Sequence, residues 1–464
     1  PDLGPQPDRS WVQEYNANPP HRRARADNSQ RLSSVVGQRP VAEGDRETFL
    51  DRGWSWNIVR IPATARRVVT DGAQTLAVWV ADADWGVVRQ EMVDALASRF
   101  LRPGPANDIY DWVTTALGPP WGPHDLPEKL IPPQAAQQVH ILVFDIDGDG
   151  SGGVAGFFFS KDLYLREYEE ASNERVIFYL DSHLLADSEG PTWKVTDPSP
   201  DFQVGAMAHE LQHIIYWYHK AVLHDSFRIP IWLNEMTSMV AEDLISEKIP
   251  VHGPRGIAGD DPTAESNTGR GRLVDYVFYN YLPVTTWGGG GPSYAINYAL
   301  GAYLARTYGA GLFRSIVQSE LVGIDAIEEA LRARGHDLSF GDILVDWAVA
   351  GLLSDDTGAR PPYRYNSGTW STSSAGGLMF RLGSINLFIH SVCSTPITVH
   401  GEGDTHCWKG PRPFSLEGFN ESTARIPQPM HSNHLIDLGV NTGTVRMRIS
   451  ADSGNRFTLL VKDQ

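Results

Sequence analysis

The chain has 464 residues and a formal net charge of −17. So acidic a surface argues against nucleic acid or an anionic membrane as the main partner. Hydrophobic residues at 41%, with 14 Trp, exclude a mainly disordered chain, and no apolar run approaches the roughly 18 residues of a membrane span.

Residues 1–45 are rich in Pro, Arg, Asn and Gln with no sustained period, and they read as an extended arm. The chain opens at Pro1 without an initiator Met or a signal segment, which is compatible with a mature form whose targeting segment is gone. From Thr48, WSWNIVRIPATARRVVT and QTLAVWVADADW alternate apolar and polar residues, predicting a small β unit over 46–85. Val87–Leu101 carries helical spacing. Val139–Asp145 is a buried-strand run before the turn-rich IDGDGSGG, and Val154–Ser160 and Arg175–Asp181 are further strands. Strands grouped ahead of helices predict an α+β fold and not a doubly wound sheet. After Ser199 the pattern is helical to Leu353, and alternation with Gly-rich turns then returns, predicting a C-terminal β-sandwich over 360–464. Cys393 and Cys407 are the only cysteines; 14 positions apart, they predict one local disulfide in an exported protein, secreted or periplasmic.

The stretch that carries chemistry is His209-Glu210-Leu211-Gln212-His213. On a helix, residues four apart share a face, so both imidazoles can reach one zinc ion. Glu210, one step round, is placed to take a proton from metal-bound water. Zinc needs a third protein ligand, and two positions compete. His219 follows His209 by ten residues, but no Gly breaks the helix at Tyr216, so it would point about 80° away and about 15 Å further along the axis. Glu235 follows His213 by 22 residues, room for a loop and a second helix that brings Asn234-Glu235 back, and it is the favoured third ligand.

The HELQH helix, the WLNEMTSMVAEDL helix and the SYAINYALGAYLARTYG helix together resemble hyicolysin-type zinc metallopeptidases of the gluzincin group. The strand ILVFDI and the segments VAGFFFSKDL and SNERVIFYLDSH are similar to the same family's pre-catalytic sheet. The resemblance covers Thr48 to Leu353. It implies a gluzincin-like catalytic domain over 86–355, a small mixed sheet plus a helical lobe. It implies a zinc endopeptidase with His209, His213 and Glu235 as ligands and Glu210 as general base and acid. It also aligns Ser293-Tyr294 with a Ser-Tyr that opens the third helix, which makes Tyr294 the oxyanion donor; Tyr298, four on, shares that face. Thermolysin-like relatives carry NExxSD, whereas no aspartate stands four after Glu235 here. Glu242 and Asp243 are the alternative partners for the first histidine, unless they are simply solvated charges.

Two other features are read more openly. The strand around Ala155, Gly156 and Phe157 is either an edge to which an extended substrate adds or an internal strand of core aromatics. Asp145, Asp147 and Asp149 resemble the start of a calcium loop, but Gly156 occupies the twelfth position where such a loop needs Glu, so a turn of solvated Asp and Gly is preferred. The expected protein is a secreted monomer that binds one zinc ion, acts on peptides or proteins, and has neither nucleic acid nor a membrane span as partner. The rival expectations are a zinc aminopeptidase and a binding or adhesion protein with a vestigial metal site.

Overall fold

The structure, a computed structural model, describes residues 10–19, 40–52, 57–249 and 272–394. It also describes short pieces beyond, among them 406–412, 414–415, 431–433 and 435–437. The first element is a helix, α1 (Ser10–Ala17), where the sequence predicts only an extended arm. Eight residues are too few for a stable isolated helix. Packing holds it: Val12 is buried, and Trp11 and Tyr15 set their rings edge-on to Phe159, at 5.3 and 5.0 Å between centroids.

Strands β1 (Arg46–Arg52), β2 (Ile58–Asp71) and β3 (Gln74–Ala81) precede helices α2 (Gln90–Phe100) and α3 (Ile109–Leu117). Then come β4 (Gln138–Phe144), the two-residue β5 (Gly156–Phe157) and β6 (Val176–Asp181). All six strands form one sheet in the order β1-β2-β3-β4-β6-β5. The β unit expected as a separate piece over 46–85 is therefore one half of a continuous sheet. Its last strand, β3, pairs in parallel with β4 along Thr75–Val80. The first three strands run antiparallel, β3, β4 and β6 run parallel, and β5 closes the far edge antiparallel to β6.

The central strands bury both faces, which is why they read as unbroken apolar runs. Leu76, Val78, Val80, Ile141, Val143, Phe178 and Leu180 point into the main helical core. Their alternates Ala77, Trp79, Leu142, Phe144, Ile177 and Tyr179 form a second core with Phe157, Phe159 and Val12 of α1. The strand expected over Val154–Ser160 shortens to β5, because the chain turns into a 3-10 segment from Ser160 to Leu163.

The helical lobe follows a short α4 (Ser182–Ala186). It comprises α5 (Pro198–Trp217), α6 (Ile231–Ile245), α7 (Arg272–Tyr279), α8 (Gly290–Tyr308), α9 (Gly311–Gln318), α10 (Gly323–Arg332) and α11 (Phe340–Leu352). Helix α5 opens on Pro198, which lacks the N–H that a first turn leaves unpaired, and is buried around most of its circumference. Beyond Trp217 it widens into a π-helical turn, Tyr218–Leu223, rather than running on as an α-helix through His219. Helix α8 lies close against α6 at Gly301, where a Cβ would come within 2.8 Å of Met236 and Val240. No helix among the described residues is long and apolar enough to cross a membrane. A hairpin of β7 (Ser371–Ala375) and β8 (Leu378–Leu382) leans on α3 and α9. Further on, Ser391–Ser394 pairs antiparallel with His406–Lys409, and Cys393 faces Cys407 across that pair in a disulfide. Much of the sandwich expected over 360–464 lies outside the described residues.

Candidate active site

Helices α5 and α6 carry the site, and helical spacing decides which side chains meet. Glu235, Ser238 and Glu242 stand at intervals of three and four along α6, one stripe that faces α5. His209 and His213 form the matching stripe on α5. His209 Nε2 lies 3.1 Å from Glu235 Oε2, and His213 Nε2 lies 3.5 Å from Glu235 Oε1. Ligands about 2.0–2.1 Å from a tetrahedral zinc are separated by about 3.3 Å, and the two observed distances straddle that value. Suitable donor atoms of His209, Glu210 and His213 also lie within 4.8 Å of one another. Two imidazoles and a carboxylate are the donors zinc favours, and the geometry fits that ion.

The outer nitrogens are held as a metal site requires. His209 Nδ1 is 2.7 Å from Glu242 Oε1, and Arg272 at the start of α7 donates to both oxygens of Glu242, at 2.9 and 3.0 Å. His213 Nδ1 is 3.0 Å from the Ser238 hydroxyl, which donates to Gln212 Oε1. Because the Ser238 hydroxyl has Gln212 Oε1 and the Asn234 carbonyl as acceptors for its one proton, Nδ1 of a neutral His213 is the donor to it and Nε2 keeps a lone pair facing Glu235. Gln212 in turn donates to Thr237, at 2.6 Å.

Electrostatics separate the roles of these groups. Burial lowers the His213 imidazole to about 4, so it is neutral, the form that ligates metals. Burial would lower His209 too, but its hydrogen bonds to Glu235 and Glu242 outweigh that and raise it to about 10. Burial raises Glu210 to about 8, which suits a proton shuttle near neutrality. One of its carboxylate oxygens, Oε2, is buried with no hydrogen-bond partner among the described residues. Glu210 also lies beneath the sheet edge: a Cβ on Gly156 would be 3.5 Å from Glu210 Cγ and 2.6 Å from the Tyr179 carbonyl oxygen.

Tyr294, in the first turn of α8, brings its ring centroid to 6.5 Å from that of His209. Tyr298 is wholly buried, with the Arg272 guanidinium over its ring, and lies deeper in the lobe. Asp243 turns away from the histidines and pairs with Arg306 of α8, at 2.7 Å. His219 sits beside Gly118 and Gln318, remote from the two histidines. In the loop after β4, both Asp145 oxygens accept from backbone amides, those of Gly148 and Gly150, as a turn-forming aspartate does. Ala155 accepts from Gln203 of α5 and from Asp181, so its carbonyl is already engaged.

Sequence reasoning missed four residues here. Ser238 was legible in principle, three after Glu235 on one helix. Arg272, Trp287 and Gln13 were not, since nothing local marks them. Trp287 stacks edge-on to Tyr294 at 4.9 Å and donates to Gln13 Oε1 at 3.0 Å. The Gln13 amide donates to Glu235 Oε1 at 2.9 Å and to the Tyr294 hydroxyl at 3.2 Å.

The family model for peptidase M30 matches residues 57–367, from β2 to just short of β7. No curated protein matches the chain.

Proposed function

The chain belongs to the peptidase M30 family, and from that premise we propose that it is a zinc-dependent endopeptidase that works outside the cell. The observation that carries the reading is the convergence of His209 Nε2 and His213 Nε2 on the two oxygens of Glu235, beside Glu210 Oε2, which has no hydrogen-bond partner among the described residues. The chain at Cys393–Cys407 supports an oxidising compartment.

In this reading His209, His213 and Glu235 hold the metal. Zinc bound there supplies Lewis acidity, polarising a water and the scissile carbonyl. Glu210 Oε2 accepts the proton of the attacking water and passes it to the departing amine, so atoms and charge balance as the C–N bond breaks. The Tyr294 hydroxyl donates to the carbonyl oxygen as it becomes negative. Glu242, clamped by Arg272, keeps His209 oriented and electron-rich. An extended peptide lies along β5 and the backbone of Phe158 to Ser160 that follows it, its side chains alternating across the cleft.

Glu210→Gln separates binding from chemistry. The variant is expected to retain one zinc by elemental analysis and to lose about three orders of magnitude or more in kcat on casein. Casein cleavage at the wild-type rate by a zinc-loaded Glu210→Gln enzyme would overturn the mechanism. Peptides with blocked termini should be cleaved as well as free ones, which distinguishes an endopeptidase from an enzyme that anchors a free amine.

A further inference from the structure

Helix α1 lies before the residues that match the peptidase family, yet it makes its polar contacts at the heart of the site. Its Gln13 carboxamide bridges Glu235, Tyr294 and Trp287, three residues from two different helices and a loop. One turn on, Asn16 makes a two-point contact with the backbone just past β5, where it enters the 3-10 segment: its Nδ2 donates to the Phe158 carbonyl at 2.8 Å, and its Oδ1 accepts from the Ser160 amide at 2.8 Å. A carbonyl and an amide two residues apart are the groups that one residue of an added parallel strand would engage. The Ala17 carbonyl accepts from the Ile229 amide at 2.9 Å, on the opposite bank, just ahead of α6. Trp11, Val12 and Tyr15 anchor the helix in the apolar core behind Phe159.

We infer that α1 is an intramolecular inhibitor of the cleft, a plug that occupies the edge groups and the catalytic tyrosine and must leave before peptide can bind. The inference rests on the peptidase reading above. Its physical basis is competition for the same atoms. The Phe158 carbonyl and Ser160 amide cannot pair with a substrate while Asn16 holds them, and the Tyr294 hydroxyl that would meet the oxyanion faces Gln13. The polar anchors of α1 among the described residues are the Gln13 and Asn16 amides and the Tyr15 hydroxyl, which donates to Glu169 at 3.1 Å, single hydrogen bonds of the kind a reversible plug can give up. A chain segment that merely completed the fold would have no need to direct Gln13 and Asn16 into the binding groove.

The test keeps the full chain and releases α1 after folding. A site-specific protease recognition sequence is inserted between residues 30 and 31, the zinc-loaded protein is purified intact, and half of it is cut. Release is read by hydrogen exchange at the Ser160 amide, and function by cleavage of a blocked fluorogenic peptide. A Trp11→Ala/Tyr15→Ala double variant, uncut, forms a second arm. Loss of protection at Ser160 should accompany a rise of about tenfold or more in kcat/KM, since a plug seated nine-tenths of the time leaves a tenth of the molecules competent. Added synthetic peptide of residues 10–18 should then inhibit the cut enzyme and restore protection at Ser160. Release at Ser160 with measurable activity that is unchanged or lower would overturn the inhibitor and make α1 a working wall of the cleft. Zinc-loaded protein that cleaves nothing before or after release would instead refute the peptidase reading, and the inhibitor with it.

Discussion

At the residue scale the site depends on carboxylates given different tasks by their neighbours. Glu210 is buried with one oxygen unpaired among the described residues, Glu235 faces two imidazoles, and Glu242 is gripped by Arg272. Glu242→Gln keeps the volume but loses the charge that orients and enriches His209. Zinc affinity, measured by competition with a chromophoric chelator, should fall about 10- to 100-fold, while Asp243→Asn should leave it within about threefold because Asp243 faces Arg306. Equal losses in both would show that the pairing of His209 with Glu242 is not what tunes the metal. The shared face of His209 and His213 is legible in the sequence because helical spacing is local, whereas Glu235 is read from the 22 residues that leave room for a returning helix. The choice between Glu242 and Asp243 was not: the two are adjacent on one helix, and only the neighbour that each face meets separates them.

At the element scale, the turn that follows α5 shows how the lobe is locked. The π-helical widening after Trp217 brings Lys220 inward. There its ammonium donates to the carbonyls of Ile316, Ser319 and Leu321, at 2.8, 2.5 and 2.6 Å, and so caps the end of α9. Lys220→Met fills the same space without a donor and strands three carbonyls. We expect a cost of about 3 kcal/mol, read as a fall of several degrees in the melting temperature, with kcat of the folded enzyme at 25 °C little changed. An unchanged melting temperature would show that water satisfies those carbonyls as well. Gly301 plays the corresponding part between α6 and α8. Gly301→Leu places side-chain atoms where Met236 and Val240 already stand, so it should spread α6 from α8 and lower zinc affinity together with stability. The helices themselves were visible from periodicity, but neither device was. The π turn has no distinct composition, and a glycine that permits close approach looks in sequence like any other.

Across the whole molecule, the six-stranded sheet and the helical lobe meet at α5, and the outlying segments brace or cover that junction. The disulfide pair Cys393–Cys407 lies in a two-stranded piece whose Trp408 packs near Phe278 of α7, with ring centroids 5.8 Å apart. It closes a short loop and bears on α7 rather than on α5 or α6. Cys393→Ala/Cys407→Ala should therefore lower stability by about 3 kcal/mol at most, seen by scanning calorimetry, while hydrolysis per zinc-loaded molecule stays near wild type. A collapse of activity at full zinc occupancy would mean that the C-terminal segment supports the cleft directly. The acidic balance and the Cys393–Cys407 staple have no part in the proposed chemistry.

By itself the sequence determined the mixed α and β character, the helix that offers two imidazoles and a glutamate, the second helix with its acidic residue, and the disulfide. Each of these is written in spacings of a few residues, which fix the face of a helix or strand wherever it lies. Tertiary structure alone decided that β1 to β3 join β4 and β6 in one sheet, that Arg272 reaches Glu242, and that Gln13 reaches Glu235 and Tyr294. Those pairings span from about thirty to nearly three hundred positions. No local pattern encodes them, because they follow from which buried surfaces happen to fit when the whole core closes.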